Sequence, residues 1–289
     1  MDPYALTLEH FVKDHTLQSV ELIYTSHPSW PLPPHSSTGR ILNLCVLDSS
    51  FNPPTMAHLA LACLPFLPNS SSPSPSFSAK LLLFSIKNAD KTLKPGDATP
   101  SQRLQMMIFL AHELQRIGEQ NANHSSQNIA VGVCREPTFV GKSAVLLDFF
   151  HDRLATLSPS TNVRLTFLLG FDTLERLFAP RYYSSEDAMK EALRRLLSPS
   201  GDDSRIICAR RRAGESYAEV DNNIVDIASN FIDSGAVVLT DIGEAERALS
   251  SSEVRKNITD ASDNWMHKVP ESVAAYIKEN HLYAKPEAL

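Results

Sequence analysis

Two short stretches near opposite ends of the chain carry the residues best suited to chemistry. The first is Asp48-Ser49-Ser50-Phe51-Asn52-Pro53-Pro54-Thr55-Met56-Ala57-His58, directly after the β-prone run 41–47. A turn rich in Ser, Asn and Pro between a strand and a helix is where ligands bind in an open α/β sheet. The helix directs unsatisfied N–H groups and the positive end of its dipole at any phosphate placed there. Thr55 and His58 are three residues apart, so on the first turn of such a helix they share a face and reach the same phosphate. Taken alone, the stretch is equally readable as a helix-start turn with a satisfied histidine.

The second stretch is Leu249-Ser250-Ser251-Ser252-Glu253-Val254-Arg255, three consecutive hydroxyls at a helix start with an arginine one turn on. Capping accounts for one serine. Three hydroxyls with a guanidinium at this spacing form a polyphosphate cradle of N–H, O–H and charged donors.

Other candidates carry less. Gly141-Lys142-Ser143 imitates the end of a P-loop, but the position of that motif's first glycine is Glu136. The intervening Pro137-Thr138-Phe139-Val140 lacks the glycines that let backbone wrap phosphates, so Lys142 reads as a surface or substrate-loop lysine. His112-Glu113 and His151-Asp152 are adjacent pairs on helices, where neighbours diverge, and neither reads as a metal site. Of Arg210-Arg211-Arg212, Arg212 is expected over a ligand. Cys45, Cys63, Cys134 and Cys208 sit in apolar runs without a CxxC pair and read as buried thiols.

The elements that must position these residues alternate. Strand-like runs at 41–47, 80–86, 129–134, 163–170, 205–210 and 236–240 are separated by helix-like stretches near 55–66, 99–118, 142–157, 184–197 and 216–233. The clearest helix start is at Thr99-Pro100, where Gln102 completes a capping box. Strands alternating with helices of this length imply crossover connections. The expected fold is α/β, a doubly wound Rossmann-like parallel sheet of about six strands with helices on both faces. Residues 4–25 have helix-like apolar spacing and precede a Pro-rich break, so 1–40 reads as an N-terminal helical arm and hinge, and 41–289 as one domain. Segments 69–78 and 118–128 have the composition of solvated loops.

At 289 residues with 43% hydrophobic and 21% charged, the chain has the composition of a globular protein. A net charge of -6 argues against a broad nucleic-acid surface and for small-molecule partners. The apolar runs are far shorter than the ~20 residues of a membrane span. The first residues lack the basic and long apolar regions of a secretory signal, which places the protein in the cytoplasm or nucleus, or both.

Together, the two stretches resemble the nucleotidylyltransferase superfamily, specifically the nicotinamide and nicotinate mononucleotide adenylyltransferases. There the motifs read G-S-F-N-P-x-T-x-x-H and I-S-S-T-x-I-R; here they stand as SSFNPPTMAH (49–58) and LSSSEVR (249–255). LLGFDTLERLFAP (168–180), ARRRAG (209–214) and VPESVAAYIKENHLYA (269–284) are similar to the family's G-x-D segment, R-x-G turn and closing helix.

The resemblance implies adenylyl transfer from ATP to a pyridine mononucleotide in NAD biosynthesis, giving dinucleotide and pyrophosphate. It assigns His58, Thr55 and Arg255 to catalysis. Ser49, Ser50, Phe51, His58, Gly170, Asp172, Ser251, Ser252 and Arg255 are assigned to ATP, and Lys87, Lys91, Glu136, Phe139 and Arg212 to the mononucleotide. Mg²⁺ is expected to be held mainly by phosphates and water. Three departures stand out. Ser49 replaces the first glycine, Ser252 the usual threonine, and Arg135 the aromatic that stacks on the pyridine, leaving Phe139, Tyr182 or Tyr183 to supply it. They leave open a transferase acting on another substrate, an ATP-hydrolysing relative, or a nucleotide-gated interaction module.

Overall fold

The computed structural model describes residues 4–13, 18–33, 41–64, 77–86, 96–120, 127–210 and 222–285. Continuous runs of Leu, Ile, Val and Cys make strands that are buried on both faces. These are β2 (Ile41–Asp48), β3 (Ala79–Ser85), β4 (Ile129–Cys134), β5 (Asn162–Gly170), β6 (Arg205–Ala209) and β7 (Val237–Thr240). They pair in parallel in the order β4-β3-β2-β5-β6-β7. The chain builds outward from β2 on one side, then returns to its other side with β5. A reversal of this kind opens a crevice beyond the carboxyl ends of the two central strands.

Helices cover both faces. On one side lie α1 (Ala5–Lys13), α2 (Met56–Cys63) and α3 (Pro100–Gln120), burying Leu59, Leu104, Met107 and Leu114 against Cys45, Leu47, Leu82 and Val131. On the other are α4 (Phe139–Leu157), α5 (Phe171–Leu177), α6 (Glu186–Leu197) and α7 (Asn222–Asp233). There Leu146, Phe150, Leu174 and Leu193 pack on Leu44, Val46, Leu81 and Phe167. A short α8 (Glu244–Arg247), α9 (Ser251–Thr259) and α10 (Glu271–Glu279) close the chain. In this closing part Val254, Trp265, Val273 and Ile277 form a third cluster with Met106 of α3. Among the described residues no helix is long and apolar enough to cross a membrane.

Among the described residues the sheet has seven strands, one more than the alternation predicts. The seventh, β1 (Val20–Thr25), pairs antiparallel with the edge strand β4, Val20 opposite Cys134 and Thr25 opposite Ala130. Its sequence VELIYT is strand-prone. The helical spacing of Val20 and Ile23 is a coincidence over six residues, overridden by the backbone partners that the open edge of β4 supplies. The helix is confined to α1, whose Leu8 and Phe11 join the core.

The described part of the Pro-rich break is also anchored. Trp30 is fully buried, tilted against Phe150 at 5.6 Å, and its carbonyl accepts from Arg153 Nε at 2.6 Å. Replacing Trp30 by alanine is therefore expected to cost about 3–5 kcal/mol in a chemical-denaturation experiment, the range for a buried aromatic. An unchanged midpoint would show that this segment contributes nothing to the core.

Candidate active site

The strands at the reversal end in the residues of interest: β2 at Asp48, followed by Ser49, and β5 at Gly170, followed by α5 with Asp172. Two cavities open there. The larger, about 320 Å³, is lined by Ser49, Thr55, His58, Gly170, Asp172, Arg210, Arg247 and Ser251 among others. The smaller, about 170 Å³, is lined by Ser50, Ser85, Thr138, Phe139, Lys142, Arg176, Tyr182 and Tyr183 among others. Asp48, Ser49 and Thr173 line both. The site is thus two chambers divided by the turn that leaves the central strand.

His58 sits at this divide. It is the third residue of α2, and its ring folds back on the helix start. Nδ1 accepts from the Thr55 backbone N–H at 3.0 Å and lies 2.9 Å from Thr55 Oγ1, while Nε2 lies 2.9 Å from Ser49 Oγ. A backbone amide can only donate, so Nδ1 carries the lone pair and Nε2 the proton. Neutral His58 therefore presents an N–H donor toward Ser49 and the divide. Burial pushes its pKa down to about 4. Phe51 lies beneath the ring at 5.2 Å, fully buried, with a left-handed φ of 43°. It supports the His58 ring, and its side chain lines neither of the two cavities.

A nuclear magnetic resonance titration of the nucleotide-free protein is expected to show His58 turning over near pH 4. The sign for stability follows. Between about pH 6.5 and 4 the unfolded chain binds a proton that the native chain does not. The contribution of His58 is therefore complete above 6.5 and is lost as pH falls toward 4. A midpoint near 6.5 would show that burial does not hold the ring neutral.

The second motif arrives from the far end of the chain. Ser250 caps α9, its Oγ accepting from Glu253 N at 3.1 Å. This frees the next two residues for other partners. Ser251 Oγ donates to the Pro53 carbonyl at 2.8 Å, and Arg255 Nη1 donates to the Asn52 carbonyl at 2.5 Å. Arg255 also reaches Ser252 Oγ at 3.3 Å and Asp97 Oδ1 at 3.5 Å. Asn52 in turn donates to Asp97 at 2.8 Å and accepts from Tyr283 OH at 2.9 Å. The two motifs are in direct contact. Arg255, expected on phosphate, rests its guanidinium on the Asn52 turn, because that turn exposes a carbonyl in the path of α9. Asp97 and Tyr283 were not singled out by sequence; no local pattern marks them, since both matter only once the Asn52 turn is folded.

Phe139, Tyr182 and Tyr183 all line the smaller cavity. Phe139 is held edge-on by Phe167 at 5.5 Å. Tyr183 donates from its hydroxyl to the Leu177 carbonyl at 2.9 Å, and burial pushes its pKa up to about 12. Arg135, at the place of the family's aromatic, stacks on Phe11 with its guanidinium 4.4 Å from the ring centre and donates to the Phe11 carbonyl. It secures α1 instead. Lys142 is neither a surface nor a loop lysine. It is buried in the first turn of α4 and pairs with Asp48 at 2.5 Å.

The Glu136 side chain does not appear in the walls of either cavity, while its backbone carbonyl accepts from Ser85 Oγ at 3.2 Å. Lys87, Lys91 and Arg212 lie outside the described residues. Of the arginine run, Arg210 lines the larger cavity, with Asp241 between it and Arg247 at 3.3 and 3.5 Å.

No protein-family model matches the chain. Over 249 residues it is 28% identical to a Schizosaccharomyces pombe protein named "Putative nicotinamide mononucleotide adenylyltransferase", covering 81% of this chain and 83% of that one. Two solved structures of Plasmodium falciparum nicotinic acid mononucleotide adenylyltransferase, complexed with NaAD and with APC, share the fold. Each has a TM-score of 0.50, and each match covers 84% of this chain and 97% of that chain, at 18% and 16% identity. The resemblance read from two motifs thus extends over most of the chain.

Proposed function

We propose that this chain is a mononucleotide adenylyltransferase, joining ATP to a pyridine mononucleotide with release of pyrophosphate. The observation that carries the reading is the pair of cavities meeting at Ser49. A chamber framed by the two motifs adjoins one lined by Phe139, Tyr182 and Tyr183, with the His58 N–H at the divide. ATP occupies the first and the pyridine ring the second.

The 5′-phosphate of the mononucleotide attacks the α-phosphorus of ATP in line. A new P–O bond forms as the bond to the β-phosphate oxygen breaks, and the electron pair leaves on pyrophosphate. No covalent enzyme intermediate is needed, since positioning and charge stabilisation supply the catalysis. His58 Nε2–H donates to the α-phosphate oxygen on which charge develops, displacing its bond to Ser49. Ser251 and the first N–H groups of α9 face the departing phosphates, while Arg255 holds the turn in place. Asp172 accepts from ribose hydroxyls, and Gly170 lets the nucleotide lie close.

Mg²⁺ bound with the triphosphate would supply charge neutralisation. The Asp172 carboxylate in the wall of the larger cavity is an oxygen acceptor that would suit the water shell of a hard cation. Dinucleotide and pyrophosphate followed in one sample, from ATP-Mg²⁺ and either the nicotinamide or the nicotinate mononucleotide, test the reading. Equal amounts of both products support it. Phosphate release without dinucleotide would assign the site to ATP hydrolysis instead.

A further inference from the structure

Lys142 occupies a position that folding alone disfavours. It lies in the first turn of α4, where a cation opposes the helix dipole, and its side chain is only 4% exposed. Two groups offset this cost. Asp48 accepts from Nζ at 2.5 Å, and the Phe139 ring lies 4.8 Å beneath it. A buried ion pair of this kind is often no more stabilising than a well-packed apolar pair, which points to a use beyond stability. The other buried lysines are placed differently. Lys80 donates to the Ala62 carbonyl and Lys268 pairs with Glu253; among the described lysines only Lys142 lines one of the two cavities.

Its place in the cavity identifies what it meets. Asp48 belongs to the wall shared by the two chambers, one residue before the Ser49 hydroxyl that touches His58 Nε2. The ammonium is therefore next to the divide, where the attacking phosphate must lie if His58 addresses the α-phosphate of ATP. An ammonium has three donors, and Asp48 takes one.

We infer that Lys142 is a cation that binds and orients the mononucleotide's 5′-phosphate, with Asp48 fixing its direction and moderating its charge; this rests on the adenylyltransferase reading. Lys142 binds the phosphate by charge-assisted hydrogen bonds while Asp48 repels it. The two partners of the pair thus act on the substrate with opposite signs, which a purely structural pair does not do.

Calorimetric titration without turnover tests this on the full chain, with nicotinamide mononucleotide, its nicotinate form and ATP-Mg²⁺ as separate probes. Lys142→Met is expected to weaken both mononucleotides by about 10- to 100-fold, the scale of hydrogen bonds to a charged group, and to leave ATP within a few-fold. Asp48→Asn is expected to tighten both mononucleotides several-fold by removing the opposing charge.

Wild-type protein that binds neither mononucleotide overturns the adenylyltransferase reading, and this inference with it. Wild-type protein that binds them, with Lys142→Met binding equally well, overturns this inference alone. A loss confined to the nicotinate form means the lysine reads the ring carboxylate and also overturns it. If Lys142→Met does not fold, Asp48→Asn decides alone: tighter binding supports the assignment, and unchanged or weaker binding overturns it.

Discussion

Replacing His58 by alanine is expected to lower the turnover of dinucleotide formation on the order of 10²-fold or more, with ATP affinity changed only a few-fold. The reason is the timing of its hydrogen bond. Nε2–H rests on Ser49 at 2.9 Å without substrate, and it strengthens on the phosphate only as charge builds in the transition state. Interactions of that kind appear in turnover and not in ground-state binding. Because burial holds the ring neutral down to about pH 4, the donor is present in the same form from pH 5 to 8. The substitution also removes the acceptor for the Thr55 N–H, so a loss of about 1 kcal/mol in stability should accompany it. Steady-state kinetics and ATP titration on the same preparation check this. Intact turnover with weakened binding would show that His58 acts on the ground state.

The second large effect is expected at Arg255. Its guanidinium joins the Asn52 carbonyl, Ser252 and Asp97, and so ties a turn near one end of the chain to a helix near the other. Arg255→Ala should lower kcat/KM by about 10²-fold, since a displacement of roughly 1 Å at the reacting groups is enough for that loss. It should also destabilise the fold by about 1–3 kcal/mol, because the Asn52 carbonyl and Asp97 lose a partner. Arg255→Lys should recover little, since a single ammonium cannot address three acceptors as the planar fork does. Kinetics and thermal denaturation together decide. A loss of activity and ATP affinity at wild-type stability would return Arg255 to the triphosphate, the role its motif implied.

Much of this site was legible in the sequence. Each motif is local: the turn after β2, His58 at the start of α2 and the serines at the start of α9 follow from turn chemistry and capping, which depend on neighbours a few residues away. The six parallel strands were legible for a similar reason, since strands buried on both faces must be continuously apolar. Reading 20–25 as helix failed because a six-residue spacing pattern is weak, and the partner that makes it a strand is β4, more than a hundred residues away.

By itself, then, the amino-acid order determined the α/β class, the two motifs and the aromatic candidates for the smaller cavity. Tertiary structure decided what each polar group in those motifs is free to do. His58 became a neutral donor because a backbone amide occupies Nδ1. Arg255 became a clamp because the Asn52 carbonyl lies in its path. Lys142, readable from sequence as a surface or substrate-loop lysine, is buried in the wall of a cavity because Asp48 meets it across 94 residues of chain. Local sequence sets which groups exist and how each element begins; the partner that consumes or orients a hydrogen bond or a charge is a matter of long-range geometry.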